Sequence, residues 1–342
     1  MLNKLIFVGD LNYGTRSLCR YKILNKKFSF VRVIKNEIFP YQPGIHKKSY
    51  LSRIFAKLRI PLDQVNLNNE LRKVAVLGIN ADLLWVEKSA SLHPSTLKFF
   101  RCNNPGTKII LVLEDDMFLK HNQSIFFRNT LPLFDIIFTT KKRNLSELKF
   151  LGAKRTEFFL DSYDPFLHKQ LPNYNSIKSK CFDVSFIGTF EVERYKTLLF
   201  LAKRGIKITV YGNNWPRNTH SKLDIRNTPL FGKDYTLFIN QSKINLSFLR
   251  KMNRDQVTSR TMEIIGCGGF LMTEKTDEHE CLFEDNKEAI FFTNKNDLFN
   301  KINYFLSRPL LIKKISKNGK NRAIKSGYTL NKQINKILKI SI

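Results

Sequence analysis

The chain reads as an α/β protein made of two facing Rossmann-like domains with parallel sheets. Three observations predict this. Short apolar runs alternate with helical patterns from the first residue. A stretch near the middle interrupts the alternation, and the alternation then restarts with the same strand-then-glycine opening. Such alternation implies parallel strands with helices on both faces of each sheet.

In the first half, Leu5–Val8 reads as a strand ending at Gly9-Asp10, with a helix from about Thr15. Further strands are expected at Phe30–Val33, Leu83–Val86, Ile109–Leu113, Asp135–Phe138 and Glu157–Leu160, with helices at Pro94–Arg101 and Asn144–Leu151. The residues Asp164–Lys180 carry Pro165 and Pro172 among Asn, Ser and Lys, without periodicity, and read as a linker. The second half opens with the strand Phe182–Ile187 and Gly188-Thr189, a helix over Glu193–Lys203 and the strand Ile206–Tyr211. Strands at Ile244–Phe248, Phe270–Thr273 and Ala289–Phe292 follow, then helices around Asn296–Ser307, Leu310–Lys325 and Leu330–Ile340. The expected organisation is a domain over 1–165, a linker over 166–180, a domain over 181–328 and a closing helix over 329–342. Ligands of such sheets bind beyond the carboxyl ends of the strands, which places the expected site in a cleft between the two domains.

Composition narrows the class. The 342 residues include 58 Lys+Arg against 29 Asp+Glu, a formal charge of +29. That surface attracts nucleic acid, anionic lipid or phosphorylated small molecules, although a Lys- and Asn-rich genome gives the same excess. The 42% hydrophobic content argues against global disorder. Cys19, Cys102, Cys181, Cys267 and Cys281 are scattered and form no CxxC, so free thiols in a reducing compartment are expected. The N-terminal apolar run stops at Gly9-Asp10 and no stretch approaches a membrane span, so a cytoplasmic protein is expected, or one at the inner face of a membrane.

The densest polar segment is Leu249–Glu274, LRKMNRDQVTSRTMEIIGCGGFLMTE. It follows a strand, and a helix is expected from about Ser259 to Ile265, ended by Gly266, Gly268 and Gly269. Glu263 falls in the early turns of that helix, where a carboxylate suits the dipole. A capping box would need Ser or Thr at the position of Arg260. Two readings stand side by side. Glu263 accepts hydrogen bonds from a ribose while Arg254, Arg260 and Lys251 hold a diphosphate, or the segment is a solvated, partly self-neutralised loop.

The run NRDQVTSRTMEIIGCGGFLMTE resembles the C-terminal domain of the spore-maturation-protein (CgeB-like) branch of the group 1 glycosyltransferases. TDEHECLFEDNKEAIFF and the Ser316–Ser326 stretch resemble its continuation. VGDLNYGTRS, the LEDDM of 113–117 with its trailing HNQS, and FTTKKRNLSELKFLGAK resemble the first domain of that branch, so the resemblance covers nearly the whole chain. It implies a GT-B fold with a deep cleft and the nucleotide-sugar donor held by the second domain. It also implies a pair of carboxylates with seven residues between them. Glu263 matches the second, on the ribose. Asp255 stands at the first, on the transferred sugar, where Glu is usual. Gly268 and Gly269 belong to the same donor-binding core, and the closing helix is expected to cross back to the first domain.

Gly188, Thr189 and Arg194 are further candidates for the donor phosphates, with an ordinary strand-to-helix turn and a surface Arg as the alternatives. Gly9, Asp10, Tyr13 and Gly14 form the matching loop on the acceptor side, and Glu87 and Lys88 are expected on the same rim. Glu114-Asp115-Asp116 offers a rival reading, the metal-binding acidic motif of GT-A enzymes. The preferred reading makes Asp115 or Asp116 a general base toward an acceptor hydroxyl. The histidines at 46, 93, 121, 168, 220 and 279 show no ligand spacing; His121 and His279 could enter the cleft or lie on the surface.

The expected activity is transfer of a sugar from a nucleotide-sugar donor to a glycan, lipid-linked or protein acceptor, without metal or cofactor. Peripheral contact with an anionic membrane is expected and a nucleic-acid partner is not. The alternatives are a basic nucleic-acid-binding protein and a catalytically inactive glycosyltransferase-like scaffold.

Overall fold

The computed structural model describes residues 2–36, 58–174, 180–216 and 220–342. The chain divides into two compact units, Met1–Leu160 with Asn331–Ile342, and Asp161–Leu330.

The first unit contains β1 (Leu2–Val8), α1 (Arg16–Leu24), β2 (Phe28–Ile34), α2 (Leu67–Val76), β3 (Leu83–Glu87), α3 (Pro94–Asn103), β4 (Lys108–Leu113), α4 (Phe127–Thr130), β5 (Ile136–Thr139), α5 (Asn144–Phe150) and β6 (Thr156–Phe158). Its sheet has the order β2-β1-β3-β4-β5-β6, with every neighbouring pair parallel. Strands covered on both faces need apolar side chains on both faces, which is why β3 and β5 are buried at every residue and β4 at all but its first. The Thr15 hydroxyl caps α1 by accepting from the Leu18 amide, and Pro94 begins α3, where its missing N–H costs nothing.

The second unit contains β7 (Phe182–Ile187), α6 (Val192–Lys203), β8 (Ile208–Tyr211), β9 (Leu223–Arg226), α7 (Gly232–Gln241), β10 (Ser242–Ser247), α8 (Ser259–Gly266), β11 (Leu271–Glu274), α9 (Asp277–Leu282), β12 (Ile290–Phe292), α10 (Lys295–Leu306) and α11 (Pro309–Lys325). A final helix, α12 (Leu330–Ser341), leads the chain back into the first unit, where the Gln333 side chain accepts from the Leu160 amide at 3.0 Å. The second sheet is also all parallel, in the order β12-β11-β10-β7-β8-β9. Counted from β7, this is the doubly wound order 3-2-1-4-5-6. One face packs Val184, Phe186, Ile244, Leu246 and Met272 against Leu198 and Leu201 of α6 and Ile302 of α10.

Among the residues expected to link the two domains, Leu167, Lys169 and Leu171 are pinned to α7. The Thr236 hydroxyl donates to Leu167 O at 2.6 Å, and Asn240 bonds both Lys169 O and the Leu171 amide. Residues 175–179 of that segment lie outside the described residues, as does His46. Among the described residues no helix is long and apolar enough to cross a membrane. All five cysteines are unbonded to one another, and burial pushes the Cys267 thiol up to about 12.

Candidate active site

In each sheet the chain reverses its direction of travel beside the first strand. In the second unit it runs outward from β7 to β8 and β9, then returns to the other side of β7 to lay down β10. Connections leave β7 and β10 in opposite directions, which opens a crevice at their carboxyl ends, where doubly wound sheets bind ligands.

Side chains stitch the two lips of that crevice together. Arg194, in the first turn of α6, is buried. Its guanidinium donates to Thr189 O, just past β7, at 3.2 Å and to Phe248 O, just past β10, at 3.3 Å. Glu191 pairs with Arg194 at 3.3 Å and with Arg250 at 3.2 Å, joining the same two loops again. Burial lowers the Arg194 pKa. The surface alternative for Arg194 is therefore excluded. Gly188 accepts from the Trp215 indole at 2.8 Å and donates to Tyr211 O at 2.9 Å. The backbone of Gly212 (φ +151°) lies so close to Gly188 O that a Cβ there would overlap it, so β7 and β8 can end this tightly only with glycine.

The loop after β10 makes a short turn at Lys251–Asn253, and Arg254 takes a left-handed conformation (φ 46°). Asp255 is buried and closes the loop, its amide on Arg250 O and its Oδ2 accepting from the Arg250 amide, both at 3.3 Å. Asp255 Oδ2 thus faces its own loop. Thr258 is the N-cap of α8. Its hydroxyl is buried, makes no capping bond and has no hydrogen-bond partner among the described residues. No acidic residue lies in the first turn of α8. Glu263 falls one turn deeper, paired to Arg260 at 3.3 Å, and the Arg260 guanidinium lies 4.8 Å from the centre of the Tyr235 ring of α7.

Gly268 and Gly269 end α8 and lead into the amino end of β11. The Gly268 amide (φ +70°) bonds Ile265 O and the Gly269 amide bonds Ile264 O, a Schellman cap. They lie at the edge where β11 begins and end α8.

Sequence reading passed over one group here, Glu274. Glu274, at the end of β11, accepts from the Leu249 amide at 2.6 Å, and burial raises its pKa. His279 lies neither on the surface nor in a cleft. It is fully buried, with Nε2 3.0 Å from the Thr261 hydroxyl of α8 and Nδ1 2.9 Å from Glu274 O, and burial lowers its pKa to about 4.

In the first unit the reversal lies between β1 and β3. The loop after β1 holds Gly9 and then Asp10, whose carboxylate accepts from the backbone and side-chain amides of Asn12. Exposed Tyr13 and left-handed Gly14 follow. Beside them lies a charged network. Arg20 of α1 grips Glu87 with two bonds of 2.7 Å and Glu114 with a third, Arg16 holds Glu114 at 2.6 Å, and the Trp85 indole donates to Glu87 at 2.9 Å. Burial works against ionisation of Glu114, but Arg16 and Arg20 outweigh it and hold its carboxyl below the usual range. Glu87 is thus a buried member of this network, not a rim residue.

The three acidic neighbours turn to three different partners. Asp115 is part-exposed and pairs with Lys88 at 2.7 Å. Asp116 is buried, accepting from the Asn144 side chain at 2.8 Å and from the Phe118 amide at 3.2 Å. That bonding fixes the loop. Among the described residues no three His, Cys, Asp or Glu side chains gather as metal ligands. His121 is exposed.

Residues 194–339 match the family described as glycosyl transferase-like. No curated protein sequence matches the chain. Among solved structures, HepE of Anabaena in complex with UDP and glucose has a TM-score of 0.65 at 12% identity, covering 99% of this chain and 98% of that one. An α-glucosyltransferase in complex with UDP-glucose and DNA containing an abasic site has a TM-score of 0.70 at 14% identity, covering 99% of both chains. Sucrose-phosphate synthase from Thermosynechococcus elongatus has a TM-score of 0.63 at 10% identity, covering 98% of both. The fold is that of the GT-B glycosyltransferases, as the sequence predicted.

Proposed function

We propose that the chain is a glycosyltransferase that binds a nucleoside-diphosphate sugar at the β7/β10 crevice of its second unit and transfers the sugar without a metal ion. The observation that carries this reading is the set of groups gathered at that edge. Gly188-Thr189 and Phe248–Asp255 are locked together by Arg194 and Glu191. Next to them α8 begins with no side chain capping its first turn. Amides at a helix start, with Arg254 and Arg260 close by, suit the diphosphate. Glu263, one turn along, suits ribose hydroxyls. As the glycosidic bond to the β-phosphate breaks, negative charge builds on the departing phosphate, and fixed cations and amides stabilise it without reorganising.

On the acceptor side, Asp115 is the carboxylate exposed enough to take a proton from an acceptor hydroxyl. Its pairing with Lys88 at 2.7 Å fixes its orientation. Gly9, Asp10, Tyr13 and Gly14 line the same strand edge.

One observation favours a second reading. Asp255 stands where related enzymes place a Glu on the sugar, and it faces inward. A chain that binds donor without turning it over would have that feature.

The first test is a thermal-shift screen over uridine, guanosine, adenosine and cytidine diphosphates and their sugars. UDP leads because HepE and the α-glucosyltransferase are seen with it. A ligand at about 100-fold its Kd stabilises the protein by about 2.7 kcal/mol. A shift with one nucleotide family supports the site, and release of nucleoside diphosphate from its sugar separates the enzyme from the silent binder. No shift with any nucleotide contradicts the proposal.

A further inference from the structure

We infer that the outer face of α11 is a docking surface for an anionic lipid bilayer. The helix Pro309–Lys325 has the sequence PLLIKKISKNGKNRAIK and contains no acidic residue. Ile312, Ile315, Gly319 and Ala323 bury its inner face. Gly319 is pressed so close to Glu288 O that a side chain there would collide with it, so the helix is seated in one fixed rotation.

That rotation turns Leu310, Lys313, Lys314, Lys317, Asn321, Ile324 and Lys325 outward, a stripe at helical spacing. Among the described residues none of its four lysines has a carboxylate partner, whereas Arg322, nearer the inner face, lies 3.9 Å from Glu288. Leu310 is 83% exposed and Ile324 56% exposed, so each end of the cationic stripe carries a bare aliphatic side chain. Just before the helix, Arg308 stacks on Tyr304, which is 48% exposed, and adds an interfacial aromatic and a fifth cation.

An ordinary solvated helix face intersperses both signs of charge and hides its large aliphatic groups. This one does neither. Uncompensated cations seek an anionic surface, while exposed Leu, Ile and Tyr gain by entering the boundary between headgroups and acyl chains. A duplex nucleic acid would reward the lysines and leave the aliphatic pair in water, so the combination favours lipid. The charge sits on lysine rather than arginine, which suits a diffuse anionic surface better than bidentate phosphate recognition. This inference rests on the helix face alone and is independent of the donor-site reading.

The test is vesicle co-sedimentation of the full chain with phosphatidylcholine vesicles and with vesicles containing phosphatidylglycerol. Four proteins are compared: wild type, the triple variant Lys313→Glu, Lys314→Glu, Lys317→Glu, the single variant Leu310→Ser, and a reversal of Lys203, Lys207 and Lys233 to Glu. The last carries the same charge change scattered over other exposed positions of the same unit. Wild type should bind the anionic vesicles only. Since each basic residue near such a surface contributes about 1 kcal/mol, the α11 triple variant should bind at least about 100-fold more weakly, and the scattered control should stay within about 10-fold of wild type. Leu310→Ser should weaken binding at high salt, where insertion carries more of the affinity. Equal loss in both triple variants would show that net charge alone acts and would overturn the assignment. So would equal binding to neutral vesicles, or tighter binding of a DNA duplex lost on the same α11 substitutions. Urea unfolding of each variant identifies any that fail to fold, and Leu310→Ser keeps the proposal testable if the triple variant does.

Discussion

His279 makes the stability of the second unit depend on pH in a defined direction. Its ring is buried between Thr261 of α8 and Glu274 O, stacked on Phe291. The geometry suits the neutral ring, Nδ1–H donating to the carbonyl and Nε2 accepting from the hydroxyl. Burial lowers the pKa from 6.5 to about 4. The unfolded chain therefore binds a proton below about pH 6.5 that the folded chain refuses, so stability is full above 6.5 and falls as the pH drops toward 4. The gap of about 2.5, at 1.36 kcal/mol for each pH unit, amounts to about 3 kcal/mol. Urea unfolding of wild type and His279→Gln, followed by tryptophan fluorescence from about pH 7.5 to 4, isolates this contribution from the general acid sensitivity of the chain. The difference between the two proteins should shrink by about 3 kcal/mol across that range. A difference that does not change with pH would refute the reasoning.

Three further outcomes follow from the geometry. Arg20→Met leaves Glu87 and Glu114 without their shared cation and should cost about 3–5 kcal/mol in urea unfolding, and a cost below about 1 would show the network to be dispensable. Gly212→Ala cannot be accommodated without separating the ends of β7 and β8 and should abolish soluble folded protein, whereas Gly106→Ala, with open space around it, should behave as wild type by circular dichroism. Arg194→Met should loosen both lips of the β7/β10 crevice and lower nucleotide affinity by about 10-fold or more in calorimetry, the loss of about one charge-assisted bond, and unchanged affinity would reduce Arg194 to a packing residue.

The strands were legible because parallel strands covered on both faces leave continuous apolar runs, as in Ile109–Leu113 and Phe182–Ile187. The short edge strand Leu223–Arg226 has no such run, and α7 was hidden because Thr236 and Asn240, polar in sequence, are buried by bonds to the segment 167–171. The neighbourhood of the candidate donor site could be read from a polar segment following a strand. Which way each carboxylate turns could not. Asp116 and Asp255 bond into their own loops, a choice set by backbone conformation rather than spacing. The network on Arg20 was invisible for another reason, since its partners lie 67 and 94 residues away.

The proposed donor site rests on Glu263 and Arg260 holding a nucleotide at the start of α8, and calorimetry with uridine diphosphate tests it most directly. Wild type should bind equally well with and without EDTA. Glu263→Gln should lose about 1.5–3 kcal/mol, roughly 10- to 100-fold. Arg260→Ala should weaken the diphosphate more than uridine alone. Normal binding by Glu263→Gln would contradict the site, and binding abolished by EDTA would contradict the metal-free mechanism.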